Sequence, residues 1–303
     1  MKKILITGAS GFLGVHLIEA ILRETDHEVI ALTSRPEKLR QQFPDAGNRM
    51  LIIDNADRSA ITWREVDVLV NCAFPRNDDG TKMAEGLKYI ADILSEAANG
   101  GVGAVINISS QSVYSQSRTE PATEETPLNL ESKYAVGKYA SELLTNTICA
   151  DIPHTNLRLA SLIGPEFDQR VTNKLIEKAL AGEDLTILTG SQTYGFLDVR
   201  DAANALVVML QTDTSGWAEV YNLGTNELYH LEDIAEIICS IYNENCNKSI
   251  GFNITYSEKQ FNSSLDVSKF QKYFQWNNLT PLYETLKWIF DYKNKNLYIM
   301  KGI

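Results

Sequence analysis

The feature of this sequence that most constrains its fold is a glycine loop next to its start. The segment "TGASGFLG", residues 7–14, directly follows the apolar run "ILI" and carries glycines at positions 8, 11 and 14. A strand, a glycine turn and an amphipathic helix in this order form a phosphate-binding loop, because glycine lets the backbone approach a pyrophosphate and the helix N-terminus supplies N–H donors. The loop predicts a dinucleotide site. A glycine-rich turn without a ligand is the alternative.

Short apolar runs alternate with helical patterns through the first half of the chain. Strands are predicted at residues 3–7, 28–32, 50–53, 67–71 and 104–109, with helices at 13–24 and 82–98, and a helix at 133–150 leads to a strand at 155–159. Near-continuous apolar strands separated by helices indicate a parallel sheet covered on both faces. The predicted fold class is α/β, a Rossmann-type doubly wound parallel sheet.

Predicted strands and helices alternate less regularly after residue 165. Helices are predicted at residues 171–181, 199–211 and 231–242, and strands at 185–188 and 220–223. This pattern indicates a smaller C-terminal substrate-binding lobe at the carboxyl edge of the sheet, where open α/β sheets bind ligands. We predict an NAD(P)-binding Rossmann domain over residues 1–165 and a substrate lobe over residues 166–303, with segments around 197–225 returning to the main domain.

Charge and cysteine content narrow the class of partner. The net charge of −11 argues against nucleic acid and anionic membranes, which an acidic surface repels, but a small anionic ligand needs only a few local donors. The four cysteines form no CxxC pair, so reduced thiols and no metal site are expected. No export signal is expected, because the first apolar run is only three residues long, and no run approaches the roughly 20 apolar residues of a membrane span. A soluble, cytoplasmic protein with a small-molecule substrate is expected.

The end of the second predicted strand distinguishes two dinucleotides. NAD sites usually place an Asp or Glu there to bind the adenosine ribose, whereas "LTSRPEKL" offers Thr33 followed by Ser34 and Arg35. Arg35 with the Ser34 hydroxyl would bind a 2′-phosphate by charge-assisted hydrogen bonds. NADP(H) is therefore favoured and NAD(H) stays possible, since Arg35 is alternatively a solvated loop cation. Asp54, after the third strand, is either an acceptor for the adenine amino group or a turn residue.

The segment "ESKYAVGKYASE" supplies a candidate acid–base pair. Tyr134 and Lys138 are four residues apart and share one helix face. A phenol has an unperturbed pKa of about 10, and a lysine cation one turn away favours its phenolate. Ser110, in "INISSQSVYS", lies at a predicted strand end 24 residues before Tyr134 and can hydrogen-bond a substrate carbonyl or alcohol. Capping of the strand end is the alternative for Ser110.

"TGASGFLG", "SSQSVY" and "YAVGK", in this order and spacing, resemble the extended short-chain dehydrogenase/reductase family of nucleotide-sugar epimerases, dehydratases and 4-ketoreductases. The likeness continues through "LRLASLIGP", "GFLDVRDAANAL", "VYNLGTNE" and "SLDVSKFQKYFQW". It implies a catalytic triad of Ser110, Tyr134 and Lys138, with Tyr134 as acid or base, and a homodimer formed through the helix of Tyr134 and the helix before it. The cofactor contacts predicted from motif and resemblance are Gly8, Ser10, Gly11, Phe12, Leu13, Gly14, Ser34, Arg35, Asp54, Asn55, Ala73, Phe74, Tyr134, Lys138, Leu159 and Ser161.

Departures from the family pattern limit the reaction. Gln111 and Ser112 stand where dehydratases have an Asp-Glu pair, which argues against a dehydratase. Tyr194 stands where many epimerases have a diphosphate-binding arginine, and the region of a second such arginine offers only Lys259. "NCAFPRN" replaces the usual His-Ala-Ala after the fourth strand and brings Asn71, Cys72 and the bulky Phe74 near the cofactor. Arg170 or Lys174 would compensate for the missing arginines, and the alternative for both is an exposed helix charge. The predicted substrate contacts are Ser112, Arg170, Asn173 and Tyr194.

The second-strand residues favour an NADPH-dependent reductase of a keto group on a sugar, with a nucleotide-diphosphate 4-keto sugar as the expected substrate. Hydride would pass to the carbonyl carbon, and Tyr134 would protonate the developing alkoxide. Two alternatives stay open. An epimerase would retain NAD tightly and recycle its hydride. A non-catalytic NADP(H)-binding sensor commonly lacks the tyrosine that this chain has.

Overall fold

In the computed structural model, residues 1–75, 79–190, 192–246, 248–258 and 260–301 are described. The strands along the chain are β1 (Lys3–Thr7), β2 (Glu28–Thr33), β3 (Met50–Asp54), β4 (Val68–Asn71), β5 (Val105–Ser110), β6 (His154–Leu159), β7 (Ser161–Ile163), β8 (Leu185–Thr189), β9 (Gln192–Thr193), β10 (Phe196–Asp198), β11 (Val220–Leu223), β12 (Phe252–Tyr256) and β13 (Phe261–Asn262). The helices are α1 (Phe12–Glu24), α2 (Pro36–Gln42), α3 (Gly80–Gly100), α4 (Lys133–Ile148), α5 (Val171–Leu180), α6 (Val199–Gln211), α7 (Leu231–Asn245), α8 (Ser268–Phe274) and α9 (Leu282–Lys301).

Seven parallel strands form the central sheet in the order β11-β6-β5-β4-β1-β2-β3. The strand order reverses between β1 and β4, and the carboxyl ends of strands at such a switch point form the ligand-binding crevice of open α/β sheets. The prediction of a Rossmann-type doubly wound sheet is confirmed.

The two faces of the sheet bury separate cores. Alternate residues of a strand point to opposite faces, so Ile4 and Ile6 of β1 pack with α1 and α6, while Leu5 packs with α3. The buried leucines and isoleucines of α1 recur at helical spacing, and each stabilises the fold by about 1.5–3 kcal/mol when removed from water. This packing fixes α1, and with it the glycine loop, against the sheet.

Most predicted elements agree with the observed ones within two residues at each end. The helix predicted at 82–98 is longer, because the Asp79 side chain caps its start by accepting hydrogen bonds from Thr81 and Lys82. Its end follows from Gly101, whose φ of 83° is a left-handed conformation that favours glycine. Ser110, predicted just beyond a strand, is the last residue of β5.

A third core lies among α5, α7, α9 and β8. Three short parallel pairs, β10 with β7, β12 with β8 and β13 with β9, build this part of the chain. Residues of α6 and β11 instead pack in the core of the main sheet, where β11 pairs with β6. The domain boundary at residue 165 stays a prediction. Within the described ranges, every helix is too short or too polar to cross a bilayer.

Candidate active site

A cleft of about 980 Å³ lies at the carboxyl edge of the sheet. Its walls come from the glycine loop, the ends of β2 and β5, the segments after β4 and β6, and α4. Eighteen of the predicted site residues line it, namely Gly8, Ser10, Gly11, Phe12, Leu13, Gly14, Ser34, Arg35, Asn55, Ala73, Phe74, Ser110, Ser112, Tyr134, Lys138, Leu159, Ser161 and Arg170. The described lining does not include Asp54, Asn173 or Tyr194.

The glycine loop has the shape of a phosphate cradle. Gly8 has a φ of +61°, and a Cβ there would lie 2.9 Å from the Ala73 backbone. A Cβ at Gly14 would lie 2.5 Å from the Gly8 oxygen, so the third glycine lets α1 approach the loop. Gly11 is the N-cap of α1, whose first N–H groups have no acceptor within the helix. The loop therefore fits a pyrophosphate, and its three-residue spacing follows from the close approach at each glycine.

Arg35 lies across the glycine loop at the end of β2. Its Nε and Nη2 donate to the Ser10 hydroxyl (3.3 Å) and the Ser10 carbonyl (3.1 Å). Thr33, at the position of the usual acidic residue, is buried and donates to the same Ser10 hydroxyl at 2.7 Å. Lys38 on α2 also lines the cleft and was not predicted from the sequence. The only sequence feature that marks this helix is Pro36 in its first turn. Glu166, from the segment after β7, is the sole carboxylate in the described lining. The end of the cleft formed by β2 and α2 therefore carries two cations, Arg35 and Lys38, and no carboxylate among its described lining residues.

Asn55 and Tyr89 form the wall next to this basic end. The Tyr89 hydroxyl donates to Asn55 Oδ1 at 3.2 Å, and burial raises the pKa of Tyr89 to about 12, so the phenol stays neutral. Asp54 instead is exposed and accepts a hydrogen bond from the Ala56 backbone at 2.8 Å, the geometry of a turn residue. Its role in binding adenine stays a prediction.

Ser110, Tyr134 and Lys138 all line the cleft. Ser132 caps α4 by accepting a hydrogen bond from Ala135, which begins the helix at the turn that carries Tyr134. Lys138 is 5% exposed, and its Nζ donates to the Ile108 carbonyl at 2.7 Å. The Ser110 hydroxyl accepts a hydrogen bond from the Ser112 backbone at 3.2 Å. Ser110 therefore caps the turn after β5 and still has a hydroxyl hydrogen to donate to a ligand.

Phe74 packs directly on Tyr134 and Lys138. Its ring meets that of Tyr134 edge to face, with 5.5 Å between centroids, and Lys138 Nζ lies 4.0 Å from the Phe74 centroid. Cys72, two residues earlier, also lines the cleft, and burial raises the pKa of its thiol to about 12. A thiol that stays protonated is no nucleophile at neutral pH.

An in-register row of polar side chains crosses four neighbouring strands beneath the cleft. Thr7 donates to Asn71 (2.7 Å), Asn71 to Asn107 (2.9 Å) and Asn107 to Asn156 (2.9 Å), and all four are buried. Asn107 also donates to Ser141 on α4 at 3.3 Å. Since hydrogen bonds are directional, this row fixes how α4 lies on the sheet.

A buried ion pair fixes α4 next to the same row. Glu142 on α4 accepts two hydrogen bonds from Arg158 on β6, at 3.0 and 2.7 Å, and one from Ser109 on β5. The two charged side chains are 2% and 5% exposed. The helix that carries Tyr134 and Lys138 is thus held to the sheet by directional polar contacts, which sequence reasoning did not foresee because no motif marks them.

Two predicted substrate contacts have structural roles. Asn173 is fully buried and donates to the Gly164 and Pro165 carbonyls at 3.0 and 3.2 Å. The Tyr194 hydroxyl donates to Gln192 at 3.0 Å. As substrate contacts both stay predictions. Arg170 does line the cleft, with its Nε donating to the Leu162 carbonyl and its guanidinium 4.6 Å from the Phe167 ring. Lys259 lies outside the described residues.

Several lining residues were not predicted. Glu166, Phe167 and Gln169 come from an irregular segment after β7 that carries no motif. Phe167 packs on Phe12 of the glycine loop, with 4.9 Å between ring centroids. Cys72, which the sequence placed near the cofactor, does line the cleft. The other unpredicted lining residues are Thr33, Lys38, Pro75, Gly86, Tyr89, Ile108, Ser109, Gln111, Ala160 and Leu162.

This fold and site define an NAD(P)-dependent enzyme of the short-chain dehydrogenase/reductase type. A family model described as "NAD dependent epimerase/dehydratase family" matches residues 4–224, and the chain belongs to that family. Its relatives are nucleotide-sugar epimerases, dehydratases, reductases and decarboxylases. The predicted family resemblance is confirmed.

Three relatives illustrate the range. A trifunctional UDP-glucose 4,6-dehydratase/UDP-4-keto-6-deoxy-D-glucose 3,5-epimerase/UDP-4-keto-L-rhamnose reductase of Arabidopsis thaliana is 25% identical over 322 residues, 97% of this chain but 47% of the plant protein. The chain thus spans about half the length of that relative. A dTDP-4-dehydro-6-deoxy-D-allose reductase of a Streptomyces species is 31% identical over 241 residues, 70% of this chain and 73% of the reductase.

The third is a solved structure. A mutant UDP-glucuronic acid 4-epimerase from Bacillus cereus, in complex with UDP-4-deoxy-4-fluoro-glucuronic acid and NAD, superposes with a TM-score of 0.83 and 25% identity over 98% of this chain and 100% of the epimerase.

Proposed function

We propose that this chain is an NADPH-dependent reductase of a keto group on a nucleotide-diphosphate sugar, with the 4-keto sugar as the expected substrate. The observation that carries the proposal is the basic end of the cleft, where Arg35 and Lys38 lie beside Ser34 without a carboxylate among the described lining residues of β2 and α2. These groups suit the extra phosphate of NADP(H). A reductase must release its oxidised cofactor after each turnover and bind a reduced one, and NADPH is the reduced cofactor that this basic end would bind. The 31% identity to a dTDP-4-keto-sugar reductase also supports this reaction.

Each residue of the proposed triad has a different role in the reaction. The bound nicotinamide supplies the hydride. Ser110 donates a hydrogen bond to the keto oxygen and orients the carbonyl, and Tyr134 gives its proton to the oxygen as negative charge develops there. Lys138, buried beside Tyr134, stabilises the phenolate that remains. The glycine loop would hold the pyrophosphate of the cofactor, and Leu159 and Ser161 would contact its nicotinamide.

A second candidate is an NAD-retaining nucleotide-sugar 4-epimerase. The observation that favours it is the structural likeness, over 98% of this chain, to a UDP-glucuronic acid 4-epimerase solved with NAD. The same Ser110, Tyr134 and Lys138 serve both reactions, so the triad does not separate them. The presence of all three residues argues against a non-catalytic NADP(H)-binding sensor.

Identification of the bound nucleotide separates the two enzymes. The purified chain is denatured, the released nucleotide is identified by chromatography, and a second sample is mixed with NADPH and a UDP- or dTDP-4-keto-6-deoxy sugar. The reductase proposal predicts an exchangeable cofactor and stoichiometric loss of NADPH absorbance with formation of the reduced sugar. Stoichiometric, tightly held NAD together with no NADPH consumption would overturn it in favour of the epimerase.

We further propose that the chain forms a homodimer through α3 and α4. Val136 and Leu143 on α4 are 51% and 48% exposed, and their seven-residue spacing puts them on one helix face. α3 and α4 pack side by side, so the apolar stripe borders a two-helix surface. Covering it against a second copy removes this apolar area from water.

A further inference from the structure

Two separate walls of the cleft touch each other at one aromatic contact. Phe12 belongs to the glycine loop, Phe167 belongs to the segment after β7, and both line the cleft. Their rings pack with 4.9 Å between centroids. Because Phe167 lies in an irregular segment between β7 and α5, its position depends largely on the side-chain contacts of its neighbours.

Lys293, on the C-terminal helix α9, joins this segment to α5 by two ion pairs. Its Nζ donates to Asp168 at 2.5 Å and to Glu177 at 2.7 Å. Asp168 directly follows Phe167, and Glu177 lies on α5. The Lys293 side chain is only 13% exposed, although its two partners are 70% and 50% exposed. A shielded cation with two partners contributes more than an isolated surface pair.

The residue before Lys293 holds the other neighbour of Phe167. The Tyr292 hydroxyl donates to Glu166 Oε1 at 3.1 Å. Burial lowers the pKa of the Lys293 ammonium, but the hydrogen bonds and charges of its two carboxylates outweigh burial and raise the pKa above its ordinary value. The ammonium is therefore charged at neutral pH. Two successive residues of α9 thus hold the two residues that flank Phe167.

The same helix also contacts the opposite wall. Trp288 is four residues before Tyr292 and shares its face of α9. The Trp288 ring lies 5.8 Å from the ring of His16, which in turn meets Phe12 edge to face at 5.5 Å. His16 lies on α1, one turn after Phe12. α9 therefore contacts both walls that meet at the Phe12–Phe167 contact.

We infer that Lys293 is a positioning residue for the dinucleotide, which keeps Phe167 against Phe12 and so slows dissociation of the cofactor. The described lining of the cleft does not include Lys293, so it acts through the segment after β7. The inference rests on the part of the proposed function that places a dinucleotide on the glycine loop, and it applies to NADPH and NADH alike. Because a reductase releases its cofactor after each turnover, this contact bears on its rate.

The test measures how fast bound dinucleotide leaves the protein. The protein is loaded with NADPH or NADH and mixed with excess oxidised dinucleotide, and the loss of nicotinamide fluorescence is followed by stopped flow. We expect Lys293→Met to raise the dissociation rate constant of both dinucleotides by about five- to ten-fold, since one charge-assisted contact that holds the wall is lost. Lys293→Arg keeps the charge and should stay within about two-fold of the wild type. Lys287→Met, the same charge change at a pair with Asp291 on α9, should leave the rate unchanged.

A double variant distinguishes positioning from general stability. Phe167→Ala removes the contact with Phe12 and should raise the dissociation rate at least as much as Lys293→Met. If Lys293 acts through Phe167, the double variant should be no more than about two-fold faster than Phe167→Ala alone, because the two effects are then not additive. Melting temperatures are measured alongside. Asp168→Asn, at a side chain 70% exposed, decides the question where Lys293→Met fails to fold.

The possible outcomes separate this inference from the reductase proposal. An unchanged dissociation rate in Lys293→Met, or effects that multiply in the double variant, overturns the inference and leaves the reductase proposal standing. A wild type that binds NADH but not NADPH overturns the reductase proposal, and the NADH rates then decide the inference. Failure to bind either dinucleotide overturns both.

Discussion

The ammonium of Lys138 lies 4.0 Å from the centroid of the Phe74 ring. A cation this close to an aromatic face is stabilised by about 2 kcal/mol when water is excluded, and Lys138 is nearly fully buried. Phe74 also contacts the edge of Tyr134. One aromatic side chain from the segment after β4 therefore touches both members of the proposed acid–base pair.

Phe74→Leu should lower turnover by about ten-fold, because the aromatic face that stabilises the Lys138 cation is lost while most of the apolar volume is kept. Rates measured from pH 5 to 10 test this. Phe74→Tyr retains the ring and should keep the wild-type profile. A Phe74→Leu profile that coincides with the wild type would show that the ring only fills space.

Tyr134→Phe should reduce turnover by at least about 100-fold, the usual contribution of general acid catalysis, with cofactor affinity within two-fold of the wild type. The substitution removes the hydroxyl and keeps the ring that contacts Phe74. Steady-state rates and NADPH fluorescence titration measure the two effects separately. Turnover at the wild-type rate would remove Tyr134 from the mechanism.

Lys38→Ala should weaken NADPH binding by about ten-fold or more, the loss expected for one charge-assisted contact, and leave NADH affinity within two-fold. Arg35→Ala should act in the same direction. However, Arg35 also holds Ser10 of the glycine loop, so a smaller loss of NADH affinity is expected as well. Arg40→Ala is the control, because Arg40 lies on the same helix, pairs with Glu37 and does not line the cleft. Equal weakening of both dinucleotides by Lys38→Ala would contradict a 2′-phosphate site.

Val136→Glu combined with Leu143→Glu should convert the proposed dimer to a monomer, because two carboxylates on the exposed face of α4 cannot be covered by a second copy without losing their hydration. Light scattering coupled to size exclusion gives the mass. Leu188→Glu, at an equally exposed leucine on β8, should leave the mass unchanged. A wild type that is a monomer at all concentrations tested would refute the dimer.

The sheet and the glycine loop were predictable because local sequence determines them. Apolar periodicity marks β1 and α1, and Gly8, Gly11 and Gly14 are needed where the backbone approaches itself. The proposed triad of Ser110, Tyr134 and Lys138 came from the family resemblance, and the fold brings all three residues to one cleft. What local sequence does not give is which polar side chain the tertiary structure leaves available. The side chains of Asn173 and Tyr194 form hydrogen bonds with neighbouring groups of the protein. The Ser112 hydroxyl has no hydrogen-bond partner among the described residues.

Arg118 is a second residue whose contacts could not be predicted from local sequence. It comes from a loop with no motif, and only the fold places it against Ser264, 146 residues away in the chain, and behind Gln111. Lys38 needed the position of α2, and Tyr89 that of α3, before either could be assigned to the cleft. Burial and the compensation of charge are tertiary properties, so local sequence does not reveal them.

Arg158→Met should lower the free energy of unfolding by about 3–5 kcal/mol, because it leaves Glu142 buried without its counter-ion. The double variant with Glu142→Leu removes both charges and should recover most of that loss. Lys88→Met, which breaks an exposed pair with Asp92 on α3, should cost no more than about 1 kcal/mol. Urea unfolding measures all three. If the double variant regains its stability but not its turnover, the ion pair acts by positioning α4, and with it Tyr134 and Lys138; recovery of both would assign it to stability alone.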